Sequence, residues 1–548
     1  ARAAERAFAR SFDAALEMEG LTPNGGLRTS VLSHWSPQGD APMLLLNTTD
    51  VSTGTRMIAS SPLTAFPSGR AITFAQMMGC RAGQADCKAP TVATAMLLLD
   101  VTIVYVALPA IGQDLGADFS ELQWVIDAYT VVMAASLLAA GSVADRVGRR
   151  LVFVGGLVIF TFFSALCGVA GSPIMLDLAR AAQGLGAAAM FAASLALLAH
   201  EFRGRERGIA FGVGGAVTGA SLAFGPLLGG LIIDGPGWRW IFLVNLPLGL
   251  ALIATTFAKL PESRDEGARP VDVAGMLLFG ATVFLAVFAL IRGNQDGWGS
   301  PLIVTSIVAS LLLFVSFLFA ERRAASPMLP ISLFRIPAFS GTAIVAFAQS
   351  VAIYPLLLFL AIYFQDALGF SATETGLGLL PLTLAIFIVA PIAGRLTSRL
   401  PLRLPLVSGM LLLGFAMLLM HGLDGGDWAA LLPGLLLGGV AIGLISPALA
   451  AAMVSVLPVE RSGLSSGINN TFRQLGIAIG IAGLGAIFDG QVTGSADPVA
   501  GISDGVNSVL LVSAAVAILA GLISWPMLGG QRSSGVAGPG VVGESSDG

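Results

Sequence analysis

Residues 123–150 read QWVIDAYTVVMAASLLAAGSVADRVGRR, an apolar run that ends in a short and strongly charged loop. About 20 apolar residues form a helix about 30 Å long, which is the thickness of bilayer hydrocarbon. The apolar run ends near residue 143, and the loop after it contains four charged side chains: Asp145, Arg146, Arg149 and Arg150. Because charges are costly in hydrocarbon, this stretch predicts one membrane-spanning helix followed by a loop in water.

The same pattern recurs along the chain between residues 91 and 528. Gly and Pro are frequent within the apolar runs, as they are in membrane helices, where small residues let neighbouring helices approach closely. The pattern predicts an all-α polytopic membrane protein with 14 transmembrane helices. The predicted spans are 91–111, 123–143, 151–171, 174–199, 209–233, 240–260, 273–292, 301–320, 340–364, 375–396, 404–422, 430–453, 465–488 and 507–528.

The overall composition agrees with this prediction. The 548 residues are 55% apolar and only 11% charged, with a mean hydropathy of +0.84, whereas an ordinary soluble domain is about 25% charged. This composition excludes a soluble globule and a disordered chain. The net charge of −4 rests on few ionisable groups, so no nucleic-acid partner is expected. Three Cys and three scattered His predict no metal site, and the chain has no P-loop for ATP.

The placement of Lys and Arg predicts the topology, because cytoplasmic loops of membrane proteins are enriched in both residues. If the N-terminal extension is cytoplasmic, 17 of the 21 Lys and Arg after residue 90 fall on the cytoplasmic side. Only Arg239 and Arg292 fall outside, and Arg180 and Arg473 lie within spans. One missed span would scramble this alternation, so the charges favour the predicted span count and place both termini in the cytoplasm.

Residues 1–90 differ in composition from the rest of the chain. They hold eight Lys/Arg, seven Asp/Glu and many Ser, Thr, Pro and Gly, without an apolar run of spanning length. They also lack the pattern of a signal peptide. The segment Leu44–Val51 resembles a segment of patatin-like lipases, but no G-x-S-x-G nucleophile motif accompanies it. We expect a soluble extension, which is either a genuine domain or a mis-assigned or fused stretch.

Two loop signatures occur twice at nearly one offset. The sequence from Gly141 to Arg150 has an echo from Gly394 to Arg403, 253 residues later, and Glu206 is echoed by Glu460, 254 residues later. Such a repeat predicts two parallel six-helix halves that rock about a central site, with two additional helices between them. The predicted organisation is therefore 6+2+6: 1–90 extension, 91–260 first bundle, 261–335 linker, 336–530 second bundle and 531–548 cytoplasmic tail.

Several motifs occur in order on these predicted spans. Together they resemble the major facilitator superfamily, and in particular its fourteen-helix drug/proton antiporters of the EmrB/QacA type. One difference is Tyr105, which stands where the family has Asn, and another is Ser221, which replaces the usual Gly upstream of the antiporter motif. The motifs are LDVTIVYVALP at 99–109, GSVADRVGRR at 141–150, RAAQGLG at 180–186, GPLLGG at 225–230, GWRWIF at 237–242 and NNTFRQLG at 469–476.

Three charged residues within spans are candidates for proton coupling, since an intramembrane charge is expensive without a function. Asp100 lies near the middle of the first span and can bind and release a proton; the alternative is a permanent buried ion pair. The resemblance implies that Arg180 helps to move protons on and off this acid, although a local pair with Asp177 is an alternative. Asp127 is either a second proton or cation site or a structural hydrogen-bonding group.

The remaining candidates belong to three groups. The gating loop comprises Gly141, Asp145, Arg146, Gly148, Arg149 and Arg150; the resemblance implies that Asp145 pairs across the cytoplasmic face and caps a helix, while the arginines also act as positive-inside anchors. The antiporter motif allows close helix packing and a bend at proline, and comprises Gly212, Gly225, Pro226, Gly229 and Gly230. Residues that either line a substrate cavity or join helices are Gln183, Asn470, Arg473 and Gln474.

The resemblance implies a proton-coupled efflux transporter of a bacterial cytoplasmic membrane that exports amphipathic or cationic drugs by alternating access. The partners are then the lipid bilayer, a small substrate and protons, with the proton gradient as energy source, no cofactor and no enzymatic activity. An exporter dedicated to one natural product is the first alternative. A membrane-anchored lipase-like enzyme and a non-transporting scaffold are alternatives from other classes. The sequence predicts no particular oligomeric state.

Overall fold

The computed structural model describes residues 46–49, 56–59, 88–201, 221, 224–264, 270–397, 400–424, 426, 428–456 and 462–529. The chain divides into two compact units, Ala1–Met77 and Met78–Gly548. In the first unit, the described residues form an antiparallel pair of strands, β1 (Leu46–Thr49) and β2 (Arg56–Ala59). The predicted extension thus contains a strand within the lipase-like segment.

The second unit is helical throughout its described elements. Its first six long segments are α1 (Lys88–Leu115), α2 (Phe119–Val147), α3 (Arg149–Gly168), α4 (Pro173–Glu201), α5 (Phe224–Asp234) and α6 (Asn245–Lys259). A single helical turn, Trp240–Leu243, precedes α6. Two segments follow, α7 (Val273–Asp296) and α8 (Pro301–Arg323), and then a short 3-10 helix, Ile331–Arg335.

Six further long helices complete the described chain: α9 (Pro337–Ile362), α10 (Leu380–Thr397), α11 (Arg403–Met420), α12 (Leu432–Ser455), α13 (Ser462–Gly494) and α14 (Pro498–Met527). A π-helical turn, Tyr363–Ala367, continues α9. A short helix, Ala372–Gly378, lies between this turn and α10.

Among the described residues, twelve helices are long and apolar enough to cross a membrane, two fewer than predicted. The predicted span 174–199 is occupied by the long helix α4, although α4 is not among these twelve. The predicted span 209–233 lies mostly outside the described residues, and its described end belongs to the eleven residues of α5. The chain is thus a multi-pass helical protein, with helices at all the other predicted spans.

Local signals in the sequence explain several helix ends. Asp118 caps α2: its Oδ1 accepts a hydrogen bond from the Glu121 N–H at 2.8 Å, and Glu121 Oε2 accepts one from the Asp118 N–H at 2.9 Å. This reciprocal pair satisfies N–H groups that a helix start leaves free. Gly148 has φ of +134°, a region that favours glycine, and separates α2 from α3.

The packing of the second unit follows one pattern twice. In the first six segments, α4 packs against α2 and α3, and α3 packs against α6. In the last six, α12 packs against α10 and α11 in the same way, and α11 packs against α14. In every case, the helix of the last six has a number that is eight higher than that of its counterpart in the first six. This recurrence has the form that two parallel six-helix repeats produce.

We call the end of the molecule that carries residues 145–150 the loop end, and the end that carries residues 115–119 the opposite end. The two sets of six helices meet along α2 and α13. They also meet at the opposite end, where the Asp234 carboxylate accepts hydrogen bonds from the N–H groups of Ala372 at 3.3 Å and Thr373 at 2.7 Å. Gln365 donates to the Val106 carbonyl there at 3.0 Å. The segments α7 and α8 pack on each other, and α7 contacts α2 and α13.

Candidate functional site

The centre of the candidate site is an ion pair between α1 and α4. Arg180 Nη1 lies 2.6 Å from Asp100 Oδ2, and the two side chains are 1% and 0% exposed. Arg180 Nε also donates to the Val125 carbonyl of α2 at 3.0 Å. The guanidinium carbon stands 4.3 Å from the centre of the Tyr129 ring, within the range of a cation–π contact. Arg180 therefore connects three helices through one buried charge.

Two amide side chains complete the hydrogen bonding of Asp100. Gln183 lies one turn after Arg180 on the same face of α4; its Nε2 donates to Asp100 Oδ1 at 3.1 Å, and its Oε1 accepts from Arg180 Nη1 at 2.7 Å. Asn245 at the start of α6 donates to Asp100 Oδ1 at 3.0 Å. Asn245 also lies 3.1 Å from the Ser164 hydroxyl, which donates to the Phe242 carbonyl. The carboxylate thus receives three donors and has no water-facing surface.

The predicted residues Asp100 and Arg180 are therefore brought together, and Gln183 belongs to the same cluster. Arg180 pairs with Asp100 rather than with Asp177, whose Oδ1 is buried without a hydrogen-bond partner. Asn245 and Ser164 were missed by the sequence analysis. A signal existed for Asn245, because it is a polar residue within an apolar run and stands three residues after the GWRWIF motif.

Asp127 lies outside this cluster but close to it. Its side chain is fully buried, Oδ2 has no hydrogen-bond partner, and Oδ1 lies 3.5 Å from the Thr130 hydroxyl. Tyr105, whose hydroxyl also lacks a partner, is within electrostatic reach of Asp127. The Tyr105 ring packs against Tyr354 of α9, with centroids 6.3 Å apart. Asp127 is thus a buried acid near the interface of α1, α2 and α9.

The gating loop docks on the chain that follows α6. Arg150 donates to the Leu260 carbonyl at 2.8 Å, and the Arg150 N–H donates to Glu262 Oε1 at 3.0 Å. Asp145 accepts two hydrogen bonds from Arg149, at 2.9 and 3.0 Å. Among the described residues, the ionic partner of Asp145 is therefore in its own loop and not across the face of the molecule. Arg146 is exposed.

The glycines of the antiporter motif allow α5 to approach two neighbours. A Cβ at Gly225 would collide with the Thr102 side chain of α1, and one at Gly229 would lie 3.0 Å from the Ile103 side chain. A Cβ at Gly230 would collide with the Ala372 carbonyl in the second set of helices. Pro226 presents its carbonyl to Gly376 on the same side. Gly141 has more room, since a Cβ there would lie 4.0 Å from Ala192, and Gly212 lies outside the described residues.

The polar residues of α13 are not gathered around Asp100. Gln474 Nε2 lies 2.8 Å from the Met133 sulfur of α2, so this amide is at the contact between the two sets of helices. The Asn470 amide donates to the Ser466 carbonyl of its own helix at 3.0 Å. Arg473 Nε is buried without a partner. Gln474 therefore joins α13 to α2, whereas Arg473 Nε is a donor without a hydrogen-bond acceptor.

A separate cavity of about 210 Å³ lies at the opposite end, between α1, α2, α9, α13 and α14. Its walls are mostly apolar and include the rings of Phe119 and Phe488, whose centroids are 5.3 Å apart. Asp366 and Asp489 contribute its carboxylates. In the described part of the chain, no group of three or more His, Cys, Asp or Glu side chains is arranged to hold a metal ion.

The chain is similar in sequence to proteins of a known family. The family model described as Major Facilitator Superfamily matches residues 91–481 and 338–537. The Multidrug resistance protein Stp of Mycobacterium tuberculosis is 35% identical over 404 residues, which are 74% of this chain and 75% of that protein. The Tetracenomycin C resistance and export protein of Streptomyces glaucescens is 35% identical over 413 residues, 74% of this chain and 76% of that protein.

Two further comparisons agree. The Puromycin resistance protein pur8 of Streptomyces alboniger is 36% identical over 450 residues, 79% of this chain and 89% of that protein. The solved structure of the human organic anion transporter MFSD10 (TETRAN) aligns with a TM-score of 0.55 at 16% identity, covering 80% of this chain and 98% of that one, and so supports the fold alone. With a matching family model over most of its length and relatives of this similarity, the chain belongs to the Major Facilitator Superfamily.

Proposed function

We propose that the chain is a drug/proton antiporter that exports amphipathic or cationic compounds from a bacterial cytoplasm. The observation that carries the proposal is the fully buried Asp100–Arg180 pair with its two amide donors. The names of the relatives support efflux of drugs and antibiotics as the class of function. On this proposal the protein is a secondary transporter and not an enzyme.

The energy for export would come from protons that bind Asp100. An ionised Asp100 is held by Arg180, Gln183 and Asn245. A proton on the carboxyl group removes its charge and weakens the bond to the guanidinium. Arg180 is then free to relax along α4, and the contact between α1 and α4 changes with the protonation state. Such a switch couples a proton to helix movement, because the two states differ in their packing.

Asp127 is the second acid that we assign to the transport pathway. It is buried without a basic partner among the described residues, and its Oδ2 lacks any hydrogen bond. A carboxyl group in such a place binds either a proton or a cation when a pathway opens to it. We therefore propose that Asp127 carries a second proton or contacts a cationic substrate.

We also propose the fourteen-helix, 6+2+6 arrangement, with the loop end and both termini in the cytoplasm. The repeated packing pattern of the first and last six segments supports the two halves. The excess of Lys and Arg in loops at the loop end supports the orientation. In this orientation Asp234, Gln365 and the close approach at Gly230 join the two halves at the outer end.

A dedicated exporter of one antibiotic is the second candidate function. It is favoured by two relatives whose names specify single compounds, tetracenomycin C and puromycin. Both candidates share the same mechanism and differ in the breadth of the substrate pathway. Resistance of expressing cells measured against a panel of unrelated drugs separates them: protection against several chemical classes supports the multidrug exporter, and protection against one class supports the dedicated exporter.

The proposal of proton-coupled export is tested with a fluorescent cationic dye in energised cells. We expect cells with the wild-type protein to extrude the dye until an uncoupler collapses the proton gradient. Asp100→Asn keeps the size of the side chain but cannot exchange a proton, so uncoupler-sensitive extrusion is expected to stop. Asp504→Asn, which changes an exposed acid of α14, is the matched control. Extrusion that continues at the wild-type rate in Asp100→Asn contradicts the proposal.

A further inference from the structure

The two helices between the halves carry an acidic pair at the loop end. Asp272 is the N-cap of α7, and its Oδ1 accepts a hydrogen bond from the Gly275 N–H at 2.8 Å. Glu321 lies in the last turn of α8 and is 3% exposed; its Oε2 accepts from the Leu329 N–H at 3.2 Å. In each carboxyl group, therefore, one oxygen accepts a hydrogen bond from a backbone N–H, and the other oxygen has no hydrogen-bond partner.

The remaining oxygen of each carboxyl group lies beside Gly275. Asp272 Oδ2 and Glu321 Oε1 are both buried, and neither has a hydrogen-bond donor. They lie 2.6 and 2.9 Å from the point that a Cβ on Gly275 would occupy, so both carboxyl groups converge on the space that this glycine leaves open. The two carboxyl groups therefore face the same small space beside Gly275. Ionised carboxylate oxygens only accept hydrogen bonds, so two carboxyl groups bond to each other only when one of them is protonated and donates its O–H.

No described basic group neutralises this pair. Arg322 and Arg323 follow Glu321 directly but are exposed, and the Arg323 guanidinium carbon stands 5.6 Å from the centre of the Phe319 ring. Arg264 before α7 and Arg335 after the Leu329 segment are also exposed. Among the described residues, no ion pair within 4 Å reaches either acid. Apolar residues near these positions in the chain belong to one hydrophobic cluster: Met276, Phe279, Phe317, Met328 and Leu333.

We propose that Asp272 and Glu321 form a proton-binding site, in which one proton lies between Asp272 Oδ2 and Glu321 Oε1. Two ionised carboxylates that converge on one small, poorly hydrated space repel each other strongly. One shared proton replaces that repulsion with a short charge-assisted O–H···O hydrogen bond. The proton belongs to the pair as a whole and not to either residue.

The shared proton connects three parts of the chain. It joins α7 to α8, and through the Leu329 N–H it joins both to the segment that leads into α9. Loss of the proton leaves two negative charges facing each other and loosens this junction. The site is distinct from Asp100 and lies at the loop end. The packing of α7 against α8 therefore depends on the pH on that side. This inference does not depend on the transported substrate.

The test uses the purified full-length protein, with unfolding temperature measured between pH 5.5 and 9. The folded pair holds a proton that the separated acids of the unfolded chain give up, so its stabilisation is present at low pH and is lost as the pH rises. We expect the wild type to lose stability over this range relative to Glu321→Gln, whose amide N–H₂ donates to Asp272 at every pH. Asp504→Asn is expected to keep the wild-type slope.

Infrared spectroscopy supplies a second readout that does not depend on stability. We expect the wild type to show the C=O band of a protonated carboxyl group that disappears at high pH, and Glu321→Gln and Asp272→Asn to lack this titrating band. Equal destabilisation of Glu321→Gln at every pH, with no change in the spectrum, would show that Glu321 is an ionised cap of Leu329 and overturn the inference. Stabilisation by added Mg²⁺ that Asp272→Asn abolishes would also overturn it, in favour of a metal cation.

Discussion

Arg180 of α4 donates a 2.6 Å hydrogen bond to Asp100 of α1, and both side chains are buried completely within the helical bundle. Burying two charges is expensive, and replacing such a pair by apolar residues is often neutral or stabilising. A pair of this kind is therefore weak evidence for stability alone. Its position within a membrane span, with further donors arranged around the carboxylate, fits a group whose protonation changes during transport.

The first prediction concerns the shape of the cation. Arg180→Lys keeps the positive charge but loses the planar fork that reaches Asp100, Gln183 and the Val125 carbonyl together. We expect this variant to fold and to lose most drug export. Arg180→Ala leaves the buried Asp100 charge unpaired and costs about 3–5 kcal/mol of stability. Dye efflux and the unfolding temperature measure the two effects, and full export by Arg180→Lys would refute the role of the fork.

The second prediction concerns Asn245, which donates to the second oxygen of Asp100. Asn245→Ala removes one of the three donors, and a hydrogen bond to a charged group contributes about 1.5–3 kcal/mol. We expect the pH profile of export to shift relative to the wild type. A merely structural role would lower export equally at every pH. Efflux rates measured across pH in energised vesicles distinguish these outcomes.

The third prediction concerns the close approach of α5 to the second set of helices. A side chain at Gly230 would meet the Ala372 carbonyl, which is backbone and cannot turn aside. Gly230→Val is expected to separate α5 from the short helix Ala372–Gly378 and to raise hydrogen exchange of the Ala372 and Thr373 amides. Gly155→Val is the control, because a Cβ at Gly155 meets nothing within 4 Å. Equal exchange in the two variants would contradict the prediction.

The fourth prediction concerns pH and the cap of α2. Partial burial raises the pKa of Asp118, but hydrogen bonds from the Glu121 N–H, Ser120 and Gln295 outweigh it and hold the pKa below its ordinary value. A lowered folded-state pKa contributes stability above the unfolded value of about 3.9, and this contribution is lost as the pH falls through the folded value. Asp118→Asn is therefore expected to weaken the acid-induced loss of stability. The unfolding temperature measured below pH 5 checks this, and an unchanged acid slope would disprove it.

Much of the fold was predictable because bilayer thickness sets the length of every span. Apolar run length placed the helices, and the described helices α1–α4 and α6–α14 overlap their predicted spans. The signature at Gly141–Arg150 marks the boundary between α2 and α3, but the predicted loop was wrong in extent: α2 continues to Val147, and Gly148 alone separates it from α3. The predicted span 174–199 also falls within a helix, α4, even though its first half carries the polar residues of the candidate site.

The site was less predictable, because sequence reasoning finds residue types but not their partners. Depth in a span identified Asp100 and Arg180 separately, and the family resemblance linked them. Periodicity could not show that Asn245 of α6 meets Asp100 of α1, 145 residues away. It also could not distinguish the two fates of Asp145, a pair within its loop or a contact across the face. Partner choice depends on helix rotation and packing, which no local pattern specifies.

The most direct test of the central proposal is proton movement driven by substrate in proteoliposomes that contain a pH-sensitive dye. An imposed gradient of a transported cation is expected to drive protons in the opposite direction through the wild-type protein. Asp100→Asn is expected to fold, as judged by its unfolding temperature, and to move no protons. Substrate-driven proton movement at the wild-type rate through folded Asp100→Asn would contradict the assignment of proton coupling to Asp100.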